Sequence, residues 1–241
     1  MKNIIVANLQ PRGRVSEVEI RTLVEAQIEN SAAVGWPTQD IVLVTNLAFD
    51  APVTIVRILL NSWCLTGSKM FALEHLFRVG MVKEGDVLWT HDLDAWQNFW
   101  FDAPDIADIG VTEYSMPKLN GGSIFLRSIA SDLIFAITDD IRRRKLKFEE
   151  PAINRILRIP SNASRVTVLN STYNVGDNDY SVRYNRSQMP ILVSHFHPDV
   201  EPSWRMHVCG ENEVKKPSVS PRLMELLTRY YHSGHPLPND N

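Results

Sequence analysis

Apolar residues along this chain fall into short unbroken runs separated by longer amphipathic stretches. Ile4 to Asn8, Ile41 to Thr45 and Val87 to Thr90 are runs of four or five positions, almost wholly apolar. Such runs fit strands buried on both faces. Between them, Ser16 to Ala33 carries Val18, Leu23, Ala26 and Ile28 at roughly helical spacing. Ser16 followed by Glu19 is a capping-box pattern, and Gly35-Trp36-Pro37 stops the helix. Ser68 to Val79 predicts a second helix with Met70, Leu73, Leu76 and Phe77 on one face. Further on, Ile109 to Val111, Gly121 to Leu126, Val166 to Leu169 and Ile191 to Ser194 read as strands. Ser128 to Arg144, Glu149 to Leu157 and Pro221 to Tyr231 read as helices, with Pro151 tolerated in a first turn.

This alternation predicts an α/β fold: a mostly parallel central sheet with helices on both faces. No internal repeat, low-complexity tract or linker divides it, so residues 1–241 read as one domain with a loose tail at 234–241. The composition, 44% hydrophobic and 22% charged, suits an ordinary globular core. The net charge of -3 argues against coating nucleic acid by bulk electrostatics. Cys64 and Cys209 sit in no metal-ligand or redox spacing, which points to a reducing compartment. The first apolar run is too short for a secretory signal, and no stretch approaches the length of a membrane helix. The expectation is a cytoplasmic protein, or one in the host cytoplasm if the chain is viral, with no membrane insertion and no obligate protein partner.

The chemistry concentrates where the third strand ends. Val87-Leu88-Trp89-Thr90-His91-Asp92-Leu93-Asp94 places two carboxylates just past a buried strand. Ligands bind at that edge of open α/β sheets. Two carboxylates one residue apart on a turn can reach a single hard cation such as Mg²⁺ or Mn²⁺, which keeps positions open for phosphate oxygens. By itself Asp-x-Asp is also a common surface turn. Three other segments accompany it in order: Gly67-Ser68-Lys69-Met70-Phe71-Ala72-Leu73 before it, then Leu119-Asn120-Gly121-Gly122-Ser123-Ile124-Phe125-Leu126-Arg127, then Ile191-Leu192-Val193-Ser194-His195-Phe196-His197. Phe148-Glu149-Glu150-Pro151-Ala152-Ile153-Asn154 lies between the last two.

In that order these segments resemble GT-A-type nucleotide-sugar glycosyltransferases. The resemblance implies a single GT-A-like (Rossmann-like) domain, with a donor half over about 1–110 and an acceptor half over about 111–233. It implies that Asp92 and Asp94 hold Mn²⁺ or Mg²⁺ on the diphosphate of a nucleoside-diphosphate donor, most commonly UDP-linked. His195 would complete the metal site, with His197 as substitute if the strand register differs. Lys69, Asn8 and Arg12 would serve the donor side, Arg14 being an equal candidate with Arg12. Asn120, Gly121 and Gly122 would lie beside the donor sugar. In an inverting enzyme Glu149 or Glu150 would act as the base at the acceptor, whereas a retaining one needs no single base; acidic residues are also favoured in any first helical turn. Asp139 and Asp140 are weaker candidates. Trp96, Gln97 and Trp100 follow the metal turn and fit either a sugar pocket or the core.

Arg142-Arg143-Arg144-Lys145-Leu146-Lys147 is the one concentrated basic stretch. It reads as a helix end favoured by the dipole, or as a phosphate-backbone contact. The second option leaves two acceptors open: a glycan, or a hydroxymethylated pyrimidine in DNA, as modified by some phage and kinetoplastid enzymes. Two other functions share parts of the pattern. A nucleotidyltransferase making the activated sugar would need a Gly-rich phosphate loop after the first strand, of which Gln10-Pro11-Arg12-Gly13-Arg14 has only a trace. A non-catalytic sugar- or nucleic-acid-binding module would not need the intact Asp-x-Asp and late His.

Overall fold

The computed structural model describes residues 1–10, 15–59, 68–176, 178–198 and 218–232. The first strand, β1 (Lys2–Ala7), is followed by α1 (Glu17–Val34), β2 (Ile41–Thr45) and β3 (Thr54–Arg57). Then come α2 (Ser68–Arg78), β4 (Val87–His91), β5 (Ala95–Gln97), β6 (Ile109–Glu113) and β7 (Leu119–Arg127). The remainder holds α3 (Ser131–Arg144), α4 (Glu150–Leu157), β8 (Val166–Val168), β9 (Val175–Gly176), α5 (Tyr180–Arg186), β10 (Val193–His195) and α6 (Pro221–His232).

Seven strands form the central sheet in the order β3-β2-β1-β4-β7-β6-β8. All run the same way except β7, which is antiparallel to both its neighbours. The exception has a local cause. Only Tyr114 to Lys118 separate β6 from β7, enough for a hairpin and too few for the crossover that a parallel pair requires. The sheet is therefore mostly parallel, as the alternation predicts, with one reversed strand inside it.

Side chains alternate across the sheet to make two cores. Ile4, Val6, Val42, Val44, Leu88 and Ile124 face α2, α3 and α4. Ile5, Ala7, Ile41, Leu43, Trp89 and Phe125 face the other way, against Ile20 and Val24 of α1 and the ring of Trp36. Burial on both sides is why the strands read as unbroken apolar runs rather than alternating ones. Ser16 caps α1 by accepting from Glu19 N at 3.1 Å, and Gly35 ends it in a left-handed conformation (φ 110°). The helix α6 packs on the outer side of α1, sharing Leu223, Leu226 and Leu227 with Leu23 and Ala26.

The basic stretch at the end of α3 is exposed, and its three arginines pair with carboxylates of α2 and α3. Arg142 pairs with Glu74 of α2, which also takes Arg78 at 2.7 Å. Arg143 (3.1 Å), Arg144 (2.8 Å) and Arg155 of α4 (3.2 Å) surround the buried carboxylate of Asp140. These pairs tie α2, α3 and α4 into one layer, and Asp140 is committed to it. No helix among the described residues is long and apolar enough to cross a membrane.

A second, three-stranded sheet, β5-β10-β9, stands at the carboxyl end of the central one. In it β10 runs antiparallel to β5 and parallel to β9. None of the three strands exceeds three residues. The chain leaves β4, turns through residues 92–94 and enters β5, so the Asp-x-Asp turn is the bridge between the two sheets.

Candidate metal and donor site

The site is built from four segments that meet at the carboxyl edge of β1 and β4. Because β7 is reversed, its amino end lies at that edge: Ser123 stands opposite His91, and Asp92 N donates to Gly122 O at 2.9 Å. A parallel β7 would have put Arg127 there instead. The β6–β7 register jumps from Val111–Ile124 to Thr112–Asn120, so Gly121, Gly122 and Ser123 have no partner on β6. This bulge aims Asn120, Gly121 and Gly122 at the turn.

The three groups that could hold a metal ion converge through the second sheet. His195 is the register partner of Ala95, directly after Asp94, and Phe196 N donates to Asp94 O at 2.8 Å. His195 Nε2 therefore lies 3.1 Å from Asp94 Oδ1 and 3.5 Å from Asp92 Oδ2. One oxygen from each carboxylate and one ring nitrogen all lie within 4.8 Å of one another. Two residues on, His197 points away and meets Glu19 of α1 at 2.9 Å, so the strand register puts His195, not His197, beside the turn. Two hard oxygens and one imidazole suit Mn²⁺ or Mg²⁺.

Lys69 enters at the amino end of α2, where Asn8 Nδ2 donates to Ser68 Oγ at 2.9 Å and ties the helix start to the end of β1. The Lys69 ammonium is buried and meets Asp92 Oδ1 at 2.5 Å, Gly121 O at 2.5 Å and Glu149 Oε1 at 3.1 Å. Glu149 is 2% exposed. Its neighbour Glu150 is half-buried, accepting from the Tyr114 hydroxyl at 2.5 Å and pairing with Lys118 at 2.8 Å. The two glutamates thus differ: one is packed behind the site against Lys69, the other is at its rim.

The charges follow this packing. Burial works against the charge on Lys69, but Asp92 and Glu149 outweigh it and hold the ammonium well above its ordinary range. Burial pushes Glu149 up to about 7, with Lys69 acting in the opposite direction. For Asp94, burial favours the neutral acid, yet His195 prevails and holds it well below the usual carboxylate range. Burial disfavours protonated His195, but Asp94 and Asp92 raise it overall. His91, one residue before the turn, is different. Burial takes it down to about 4, and its ring lies against Trp89, with its nitrogens on Asn3 and the Asp92 carbonyl.

Two expected outcomes follow. A Cβ on Gly122 would lie 2.5 Å from His195 Nδ1 and 2.6 Å from Cε1, so Gly122→Ala must displace the ring. Mn²⁺ affinity measured by titration should fall by about tenfold or more; an unchanged affinity would separate His195 from the metal. For Glu149, the folded value near 7 exceeds the ordinary 4.5. The folded chain then binds the extra proton between those pH values, so this group's contribution worsens as pH rises from about 4.5 to about 7 and is level beyond. Thermal midpoints of the unsubstituted chain minus those of Glu149→Gln should fall across that window, by on the order of 5 °C. A flat difference would contradict the buried placement.

Of the other sequence candidates, Trp96 and Gln97 are fully buried. Trp96 Nε1 donates to Phe196 O at 3.0 Å, and Gln97 Oε1 accepts from Trp36 at 2.6 Å. Both belong to the core, whereas Trp100 is half-exposed with its edge on Trp36. Arg12 and Arg14 lie outside the described residues. Asn174 and Arg183 were not among the candidates. Both are buried beside His195, in segments whose short β9 and α5 leave no periodic signal.

No known family profile matches the sequence, and no curated protein matches it. Solved structures do match the fold. The galactosyltransferase LgtC, in complex with donor and acceptor sugar analogues, superposes with a TM-score of 0.60 at 12% identity, over 94% of this chain and 95% of that one. A glycosyltransferase involved in glycosylation of the major capsid of PBCV-1 gives 0.53 at 13% identity, over 81% and 93%. The glycosyltransferase GlyE of Streptococcus pneumoniae TIGR4 gives 0.55 at 12% identity, over 94% of this chain and 60% of its own length. At these TM-scores and coverages the chain has the GT-A fold of these glycosyltransferases.

Proposed function

We propose that this chain is a metal-dependent glycosyltransferase that moves a sugar from a nucleoside-diphosphate donor, UDP-linked, to an acceptor hydroxyl. The observation that carries this is the convergence of Asp92, Asp94 and His195 at the carboxyl end of β4. A divalent cation held by these three groups would neutralise the diphosphate as it leaves. In the transfer, the bond between the anomeric carbon and the diphosphate oxygen breaks, its electron pair staying on the diphosphate. The acceptor oxygen bonds to that carbon and gives up its proton.

The chain's own residues divide the work. Lys69 holds Asp92 and Glu149 together and adds positive charge behind the diphosphate. Asn8 stands at the end of β1 with a buried side-chain oxygen that has no partner among the described residues, suited to a donor hydroxyl or base N–H. The bulge of Gly121 and Gly122 forms the floor on which the donor sugar lies, with Asn120 beside it. Of the two glutamates, Glu150 faces the acceptor and takes its proton, because its carboxylate is at the rim. Glu149 acts through Lys69.

The acceptor is a glycan hydroxyl. The arginines that could have followed a DNA backbone, Arg142, Arg143 and Arg144, are engaged with Glu74 and Asp140. The test is donor hydrolysis: the protein, Mn²⁺ and a panel of nucleotide sugars, following release of the nucleoside diphosphate. Release from one donor, abolished by chelator and accelerated by a glycan acceptor, is the expected result. Acceleration by duplex DNA containing hydroxymethylpyrimidine would overturn the acceptor assignment. Silence across the panel from a folded protein would overturn the transferase reading.

A further inference from the structure

We infer that Asn174 is a positioning residue that fixes His195 in the tautomer whose Nε2 lone pair faces Asp92 and Asp94. This rests on the metal-site reading above and assigns a role to a residue outside the ligand set. Asn174 is fully buried, in the residue before β9, and β9 runs beside β10 with Gly176 as the register partner of His195. Its backbone is held at both ends: its N–H donates to Ser171 O at 2.8 Å, and its carbonyl accepts from the buried guanidinium of Arg183.

The orientation of the side chain follows from a chain of obligatory donors. Gly122 N–H can only donate, and it donates to Asn120 Oδ1 at 2.6 Å. Asn174 approaches the same Asn120 oxygen at 2.9 Å and therefore presents its amide nitrogen, which also reaches Thr112 Oγ1 at 3.3 Å. That leaves Asn174 Oδ1 toward His195 Nδ1 at 3.1 Å, so Nδ1 carries a hydrogen and donates. A neutral ring with its proton on Nδ1 has its lone pair on Nε2, the atom that faces both carboxylates. The opposite tautomer would donate Nε2–H to Asp94 and be unable to ligate a cation. Partners that settle a ligating histidine's tautomer are a general feature of metal sites. The bulged backbone at Gly122 thus selects the tautomer of His195 through two asparagine amides.

The experiment compares Asn174→Leu, which removes the acceptor, with Asn174→Asp, which keeps an acceptor for Nδ1–H but loses the donor to Asn120 and Thr112. Mn²⁺ affinity is measured without donor, by electron paramagnetic resonance of the free ion. The ring ¹⁵N signals of His195 are recorded in the Mg²⁺-loaded protein. Asn174→Leu should weaken Mn²⁺ binding by about 10- to 100-fold, while Asn174→Asp stays close to the unsubstituted chain and Nδ1 is the protonated nitrogen. Equal weakening in both variants would make Asn174 a scaffold residue and overturn the inference, as would a bare Nδ1 or full affinity in Asn174→Leu. If the leucine variant fails to fold, the aspartate variant and the ring signals still decide. No Mn²⁺ binding by the unsubstituted chain would overturn this inference together with the metal site; every other adverse result leaves that site standing.

Discussion

An Asp94→Asn variant is expected to lose Mn²⁺ binding and to transfer sugar at least about a thousandfold more slowly, roughly 4 kcal/mol of transition-state stabilisation. Asn matches Asp in size, and the hydrogen bond from Phe196 N is made to the backbone carbonyl of residue 94, so the β5–β10 pairing is kept. What changes is the charge next to His195 and the oxygen donor to the cation. Far-ultraviolet circular dichroism should be unchanged, and activity should not recover with excess Mn²⁺. Unsubstituted protein treated with chelator should fall to the same residual rate. Transfer within tenfold of the unsubstituted rate would place the metal, or the whole reaction, somewhere other than this turn.

The largest effect on stability is expected from Lys69→Met. The ammonium has three hydrogens and meets three acceptors, the Asp92 and Glu149 carboxylates and the Gly121 carbonyl, so its bonding is complete. Removing it leaves Glu149 buried against the apolar stem of methionine and the Gly121 carbonyl without its donor. Breaking a buried pair on one side costs about 3–5 kcal/mol, since the surviving charge stays desolvated. In a chain of this length that corresponds to a fall of about 10 °C in melting temperature. Two controls identify the cause. Adding Glu149→Gln to Lys69→Met removes the stranded charge and should recover much of the loss. The cost should also grow as pH rises above about 7, where Glu149 ionises beside Lys69 in the unsubstituted chain but is held protonated without it. A single variant within about 1 kcal/mol of the original, measured by denaturant unfolding, would mean that the pair contributes little.

Much of the scaffold was legible before any coordinates. The inner strands β1, β2 and β4 of the central sheet are buried on both faces, and that burial writes itself into the chain as unbroken apolar runs at residues 4–7, 41–45 and 87–90. Helix α1 carried its own punctuation, Ser16 and Gly35. The Asp-x-Asp turn was visible because a turn right after a buried strand has one place to go in an α/β sheet. Elements with no local signature were not legible. Strand β3 is an edge strand with no fully buried residue, and β5 and β9 hold three and two residues. Such segments are strands only because another segment lies beside them.

The site divides in the same way. Residue type and order sufficed to nominate Asp92, Asp94, His195, Lys69, the Asn120–Gly122 segment and the Glu149–Glu150 pair, because each is a chemical group next to a recognisable strand or helix end. Tertiary structure decided how they are arranged. The reversal of β7 brings Gly121 and Gly122 to the turn, and the antiparallel register of β10 on β5 selects His195 over His197. Helix packing spends the arginines of α3 on Glu74 and Asp140, which no count of charges along the chain reveals. Burial separates Glu149 from Glu150, adjacent residues of the same type. Local sequence sets what a backbone segment prefers and which groups it carries; distances between segments far apart in the chain arise only when the cores on both faces of the sheet are packed.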